Sequence, residues 1–131
     1  MNILIIGDPT GVHSKIALRK YKAENITVWE NDSRHIYTIK QICDRINVTT
    51  DLDSLNKMHF DVVIGNPPYS DRSQTNCAAV GGSGKSLDDK FTLKSMTLAN
   101  RVKLIIRAKE FSRANSKFKQ QLFAGNHLRS I

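Results

Sequence analysis

A chain of 131 residues with a formal net charge of +8 is long enough for one hydrophobic core and basic enough to favour a polyanionic partner. No apolar run approaches the roughly 20 residues that span a bilayer, and the N-terminus lacks the pattern of a signal peptide. We therefore predict a cytoplasmic protein without a membrane partner. Its two cysteines fit a reducing compartment. They lack the spacing of metal ligands, so we expect no metal site.

The first predicted element is a short buried strand over residues 2–7, which ends at Gly7. The turn 8–11 follows, and a helix is predicted from Val12 through about Lys22. The apolar stripe of this helix consists of Val12, Ile16 and Tyr21. A strand, a tight turn and a helix at the start of a doubly wound sheet favour a nucleoside cofactor site, because glycine lets the backbone approach the ligand closely. Gly7 and Gly11 also fit plain turn residues.

The second strand is predicted over residues 25–30, with a turn and helix cap at 31–33. The following helix carries an apolar stripe of Ile36, Ile39 and Ile42. Glu30 lies at the carboxyl end of the strand, about 20 positions after Asp8. In nucleoside-binding α/β folds an acidic residue at this distance accepts hydrogen bonds from ribose hydroxyls. Glu30 is therefore a candidate cofactor residue or an ordinary strand-end carboxylate.

A third short strand over residues 46–49 precedes a turn that contains Asp51 and Asp53, either of which could cap it. The fourth strand is the apolar run from Phe60 to Ile64, and two prolines follow it within four residues. Proline cannot continue a hydrogen-bonded ladder, so the strand must end at Asn66. The turn therefore opens at the carboxyl edge of the sheet.

The turn Asn66-Pro67-Pro68-Tyr69 has the chemistry to hold a flat ring that carries an amino group. The amide oxygen of Asn66 and the carbonyl of Pro67 could both accept hydrogen bonds from one exocyclic amine, while Tyr69 stacks on the ring. A flipped-out adenine suits this arrangement. The alternative is a strand-terminating turn that happens to be proline-rich.

Residues 70–85 are polar and glycine-rich, and we expect a mobile loop near the substrate. Ala79 stands where a phosphate-binding loop would need glycine, which disfavours ATP binding. Further on, a helix is predicted to about Asn100, a fifth strand over 101–107, a helix that ends at Gly125 and the opening of another strand at 128–131. Strands and helices thus alternate along the chain, which predicts an α/β, doubly wound and mostly parallel sheet.

The positive charge is concentrated after the proline-rich turn. Residues 1–65 carry eight basic and eight acidic side chains, whereas residues 66–131 carry twelve basic and four acidic ones. A basic half beside a base-binding turn favours an electrostatic track for a nucleic-acid backbone, although a plain basic surface would look the same. The candidate nucleic-acid contacts are Arg72, Lys85, Arg107 and Lys109.

Asn-Pro-Pro-Tyr after a buried strand resembles the catalytic motif of the N6-adenine-specific DNA methyltransferases of restriction-modification type. The resemblance implies a Rossmann-like sheet and methyl transfer from S-adenosyl-L-methionine to adenine in DNA. The implied catalytic residues are Asn66, Pro67, Pro68 and Tyr69. The implied cofactor-binding residues are Gly7, Asp8, Gly11, Glu30 and Asp51, with Asp53 as the competitor of Asp51. Val12 and His13 stand where such enzymes carry a further glycine.

The resemblance also implies one domain over residues 1–131, with a cofactor half at about 1–65 and a catalytic, basic half at about 66–131. The terminal antiparallel strand and the recognition region of such enzymes are not evident, so a second subunit or a recognition module is a candidate partner beside DNA. Two alternatives remain open: a methyltransferase acting on a protein glutamine amide, and a shortened methyltransferase-like module that binds without turnover.

Overall fold

The computed structural model describes residues 1–68, 87–106 and 117–124. Its strands are β1 (Ile3–Ile6), β2 (Ile26–Trp29), β3 (Asn47–Thr49), β4 (Phe60–Gly65) and β5 (Ala99–Leu104). Its helices are α1 (Val12–Ala17), α2 (Ser33–Ile42), α3 (Leu87–Leu98) and α4 (Lys117–Ala124). Short 3₁₀ helices at Ala23–Asn25 and Asp53–Lys57 lead into β2 and β4.

The five strands form one sheet in the order β3-β2-β1-β4-β5, and every pairing among them is parallel. The register aligns the strand ends: Ile6 lies opposite both Trp29 and Gly65, and Trp29 lies opposite Thr49. The loops that follow β1 to β4 therefore leave the sheet at one edge. The predicted α/β class and parallel sheet are confirmed.

Alternation along β1 sends its side chains into two separate cores, as expected for a sheet that is covered on both faces. Ile3 and Ile5 pack on one face with Ala17 of α1 and Ile39 of α2. On the opposite face the buried residues include Leu4, Ile6, Val63, Phe91 and Leu98, the last two from α3. Helices on both faces make the fold doubly wound.

Helix α1 differs from its prediction in both length and orientation. It ends at Ala17, because Arg19 donates its N–H to the carbonyl of Ile16 at 3.2 Å in a tighter turn. Its buried side chains are Ser14 and Ala17, whereas Val12 and Ile16 are 49% and 52% exposed. The predicted stripe was therefore wrong at Val12 and Ile16, because Ser14 and Ala17 face the core in their place, whereas Tyr21, beyond the end of the helix, packs against the core.

Helix α3 ends at Leu98 and β5 runs from Ala99 to Leu104, so the predicted helix to about Asn100 and the predicted strand over 101–107 were both placed too late in the chain. The predicted loop at 70–85, the C-cap at Gly125 and the strand opening at 128–131 lie outside the described residues. No helix in the described part of the chain is long and apolar enough to cross a bilayer. Within the same residues, no group of three or more His, Cys, Asp or Glu side chains could hold a metal ion.

Candidate active site at the carboxyl edge of the sheet

The site forms where the direction of strand addition reverses. The chain builds β1, β2 and β3 outward in one direction and then crosses to place β4 on the other side of β1. The loops after β1 and β4 therefore diverge, and the crevice between them is where ligands bind in open α/β sheets. Gly7 begins the first of these loops, and Asn66 begins the second.

Gly7 allows the two loops to approach closely. Its φ is 71°, and its N–H donates to the carbonyl of Trp29 at 3.0 Å. A Cβ built on Gly7 would lie 2.6 Å from the carbonyl oxygen of Asn66. Any side chain here would have to displace the turn after β4, so the position requires glycine.

The backbone of the Asn66 turn is fixed on both sides. The N–H of Asn66 donates to the carbonyl of Ile6 at 3.0 Å, and the N–H of Ile105 donates to the carbonyl of Gly65 at 2.9 Å. Asn66 is exposed and Pro67 is buried. The turn thus presents an asparagine at the surface from a backbone that the neighbouring strands hold in place.

Asp8 stabilises the loop after β1 through hydrogen bonds to its backbone. Its carboxylate is fully buried and accepts hydrogen bonds from the backbone N–H groups of His13 at 3.1 Å and Ser14 at 2.8 Å. The carbonyl of Asp8 also accepts from the N–H of Gly11 at 3.1 Å. A carboxylate at the start of α1 supplies partners that the first turn of a helix otherwise lacks. In this arrangement Asp8 shapes the loop, with His13 Nδ1 at 3.3 Å from its Oδ1.

Glu30 links the loop after β2 to the loop after β1. Its Oε1 accepts from the N–H groups of Asn31 at 3.0 Å and Asp32 at 3.1 Å, and its Oε2 accepts from the N–H of Asp8 at 3.2 Å. Glu30 is 4% exposed. A buried carboxylate is tolerated because these backbone donors replace water. The carboxylate therefore holds two neighbouring loops in a fixed relation.

Three polar side chains lie at the start of α2, shortly after Glu30 in the chain. Asp32 is the N-cap and accepts from the N–H of Arg34 at 2.9 Å, as the sequence predicted for residues 31–33. The Arg34 guanidinium also donates to the Asp32 carboxylate, and these hydrogen bonds hold the pKa of Asp32 well below its usual range. His35 then places its Nδ1 3.3 Å from Oε2 of Glu30.

Asp51 lies at the end of β3 and caps its own turn. Its Oδ1 accepts from the N–H of Asp53 at 2.9 Å, and its carbonyl accepts from the hydroxyl of Ser54 at 2.7 Å. Asp51 is exposed. The capping alternative is therefore present in the structure, and contact with a ligand stays a prediction.

Asp51, Glu30, Asp8 and Asn66 follow β3, β2, β1 and β4 in that lateral order. Adjacent strands lie about 4.8 Å apart, so the row spans roughly 14 Å. The structure thus brings these predicted residues to one edge, together with Gly7 and Gly11. The remaining predicted residues lie outside the described part of the chain: Tyr69, Arg72, Lys85, Arg107 and Lys109.

Sequence reasoning did not single out His35. A usable signal existed, because the cap at Asp32 places His35 in the first turn of α2 and therefore close to the strand end at Glu30. Trp29, by contrast, packs in the core against Phe91, with ring centroids 4.4 Å apart.

Comparisons with known proteins identify a family and similar folds. A model of the Eco57I restriction-modification methylase family matches residues 12–131. No curated protein matches the chain. A solved structure from Thermoplasma acidophilum is similar with a TM-score of 0.59 and 19% identity over 94% of this chain and 58% of that one. A presumed RNA methyltransferase from Pyrococcus horikoshii is similar with a TM-score of 0.61 and 22% identity over 95% of this chain and 58% of that one.

At 19% and 22% identity, the similarity to these two solved structures shows the fold of this chain alone. The chain spans 58% of the length of each.

Proposed function

Because this chain belongs to the Eco57I restriction-modification methylase family, we propose that it transfers a methyl group from S-adenosylmethionine to the N6 amine of a flipped-out adenine in DNA. The observation that carries the proposal is the position of the Asn66 turn. It lies at the carboxyl end of β4, beside the loop after β1, at the reversal point of the sheet. A base held by this turn would face a cofactor bound over β1 and β2.

The residues at this edge fit S-adenosylmethionine. Gly7 lets the loop after β1 lie close to the Asn66 turn, and Glu30 supplies a carboxylate oxygen that retains an acceptor position for a ribose hydroxyl. Asp51 adds an exposed carboxylate at the far end of the row. Gly7, Gly11, Glu30 and Asp51 would hold the cofactor, while Asp8 maintains the loop. When bound there, S-adenosylmethionine supplies an electrophilic methyl group.

The chain's own contribution is orientation of the amine. The side-chain oxygen of Asn66 and the carbonyl of Pro67 would accept hydrogen bonds from its two N–H groups, so that the nitrogen lone pair points toward the cofactor. Positive charge develops on that nitrogen during transfer, and fixed acceptors stabilise it without reorganisation. Tyr69 would stack on the base, as the proline pair before it restricts the backbone that leads to its ring. The two backbone hydrogen bonds around Gly65 and Asn66 keep these acceptors in place.

Charge favours a nucleic-acid substrate. The excess of basic residues after residue 65 includes Arg101 and Lys103, both exposed on β5, the strand next to β4. A phosphate backbone along this side would bring a flipped base near Asn66. Arg72, Lys85, Arg107 and Lys109 would extend that track, and a second subunit or recognition module would complete target selection.

The decisive experiment measures tritiated-methyl incorporation into a pool of random-sequence DNA duplexes, with RNA duplexes and glutamine peptides in parallel. We expect DNA to be labelled at adenine. Asn66→Ala should lower the rate about a hundredfold, because loss of one such acceptor costs about 3 kcal/mol in the transition state. Cofactor affinity, measured by calorimetry, should change less than threefold.

Asn100→Ala is the matched control, because Asn100 is exposed on β5 and lies away from the carboxyl edge. It should keep the full rate. If RNA or the glutamine peptide were labelled and DNA were not, the proposal of adenine in DNA as the substrate would be wrong. Cofactor binding without labelling of any substrate would support the binding-module alternative.

A further inference from the structure

Nδ1 of His35 is a buried nitrogen without a hydrogen-bond partner in the described residues. It lies 3.3 Å from Oε2 of Glu30, but the approach does not satisfy hydrogen-bond geometry. The ring as a whole is 31% exposed. An unpaired buried nitrogen beside a buried carboxylate is costly, so the arrangement needs a reason.

The hydrogen bonds of Glu30 show what His35 covers. A carboxylate has about four acceptor positions, two on each oxygen. Backbone N–H groups fill both positions of Oε1 and one position of Oε2. One position of Oε2 therefore remains, and the imidazole of His35 lies against that oxygen. A ribose hydroxyl that donates to Glu30 must move this ring aside.

We propose that His35 is a pH-dependent gate over Glu30, closed when the imidazole is protonated and open to the cofactor when it is neutral. The inference rests on the proposed function, because it assigns Glu30 to the cofactor. Histidine is the side chain whose charge changes between about pH 5 and 8. A protonated ring pairs with the Glu30 carboxylate, and this ion pair must be broken before a hydroxyl can take its place.

A second acidic side chain also lies near the ring of His35. Oδ2 of Asp32 lies 4.0 Å from Nε2 of His35, so a second carboxylate faces the ring. The guanidinium of Arg34, the residue before His35, is already engaged with Asp32. From the loop after β1, Asp8 reaches Glu30 through its backbone N–H, while its carboxylate turns toward α1.

His13 is the rival source of any pH dependence. Its Nδ1 lies 3.3 Å from Oδ1 of Asp8, in the loop that contacts Glu30. The variants that test the gate must therefore separate His35 from His13. Two exposed residues serve as control positions: His59, just before β4, and Tyr37 on α2, which is 67% exposed.

The experiment is calorimetric titration of the protein with S-adenosylmethionine between pH 5.5 and 8. In the wild type, we expect affinity to fall about tenfold as the pH falls, a typical size for such coupling. His35→Ala should bind with nearly constant affinity and more tightly than the wild type at pH 5.5. His13→Ala, His59→Ala and Tyr37→Ala should keep the wild-type profile.

The outcomes separate the gate from the proposed function. Cofactor binding that is independent of pH in the wild type, or a pH dependence that disappears in His13→Ala and persists in His35→Ala, would overturn the gate alone. No binding by the wild type or His35→Ala at any pH would overturn both the gate and the cofactor assignment. A gated profile without methyl incorporation would support the gate and contradict the proposed reaction. Circular dichroism at each pH verifies that the variants remain folded.

Discussion

Replacement of Gly7 by alanine tests whether the close approach of the two loops positions the Asn66 turn. Gly7 and Gly11 have nearly equal φ angles, 71° and 72°, so alanine at either costs about 1–2 kcal/mol in backbone strain. The two positions differ in the atoms that a new Cβ would meet. At Gly7 the new Cβ would lie 2.6 Å from the backbone oxygen of Asn66, whereas at Gly11 it would meet the terminal methyl of Ile42, which can rotate away. Gly11→Ala is therefore the matched control.

The overlap between the new Cβ and the carbonyl oxygen of Asn66 sets the size of the expected effect. A carbon and a carbonyl oxygen are in ordinary contact at about 3.3 Å or more, so the Asn66 turn would have to move by roughly 0.7 Å. Overpacking of this kind costs about 1–3 kcal/mol beyond the strain. We expect Gly7→Ala to lose about 2–5 kcal/mol of unfolding free energy, and Gly11→Ala about 1–2. A catalytic group displaced by such a distance should slow methyl transfer by tens to a hundredfold.

Equilibrium unfolding in urea measures the first effect, and methyl incorporation at saturating cofactor measures the second. The reasoning would be refuted if Gly7→Ala unfolded no more readily than Gly11→Ala and retained the wild-type rate. If Gly7→Ala kept its stability but transferred methyl groups more slowly, the Asn66 turn would have moved to accommodate the new Cβ.

Three further predictions concern other parts of the site. Tyr69→Ala should slow transfer about tenfold to a hundredfold, and Tyr69→Phe should largely preserve the rate, because stacking uses the ring; the methylation assay checks both. Arg34 lowers the pKa of Asp32, so the stability that Asp32 confers should be present above its usual pKa of about 3.9 and be lost as the pH falls further. Urea midpoints of wild type and Asp32→Asn should therefore converge at low pH, and a constant difference would contradict this. DNA affinity should fall steeply with salt, and Arg107→Glu should weaken all sequences about equally in a fluorescence titration; salt-independent binding would exclude a phosphate track.

Much of the site was readable because proline and glycine act locally. The prolines after Asn66 can end a strand in any fold, and the apolar run before them predicts a buried strand. Parallel strands leave the sheet at a common edge, so Asp8, Glu30, Asp51 and Asn66 could be assigned to one edge before any distance was known. The predicted cap at the start of α2 followed from a side chain that bonds only two residues onward.

Other features depended on packing between distant segments. The sequence favoured Val12 and Ile16 as the buried face of α1, but Ser14 and Ala17 pack inward because the helix lies close to the sheet. Periodicity reports that a helix has two faces, while tertiary contacts decide which face is buried. The need for glycine at position 7 likewise comes from Asn66, 59 residues later in the chain.

The sequence by itself determined the alternating elements, the strand that ends in Asn66-Pro67, and the residue types at the carboxyl edge, because each follows from local backbone chemistry. Only the tertiary structure decided how those residues are used. It paired Asp8 with the start of α1, bound Glu30 to the backbone of two loops, and placed His35 against its remaining oxygen. Hydrogen bonds to a buried carboxylate depend on which donors the fold brings within about 3 Å, and that distance is set by sheet register and helix packing.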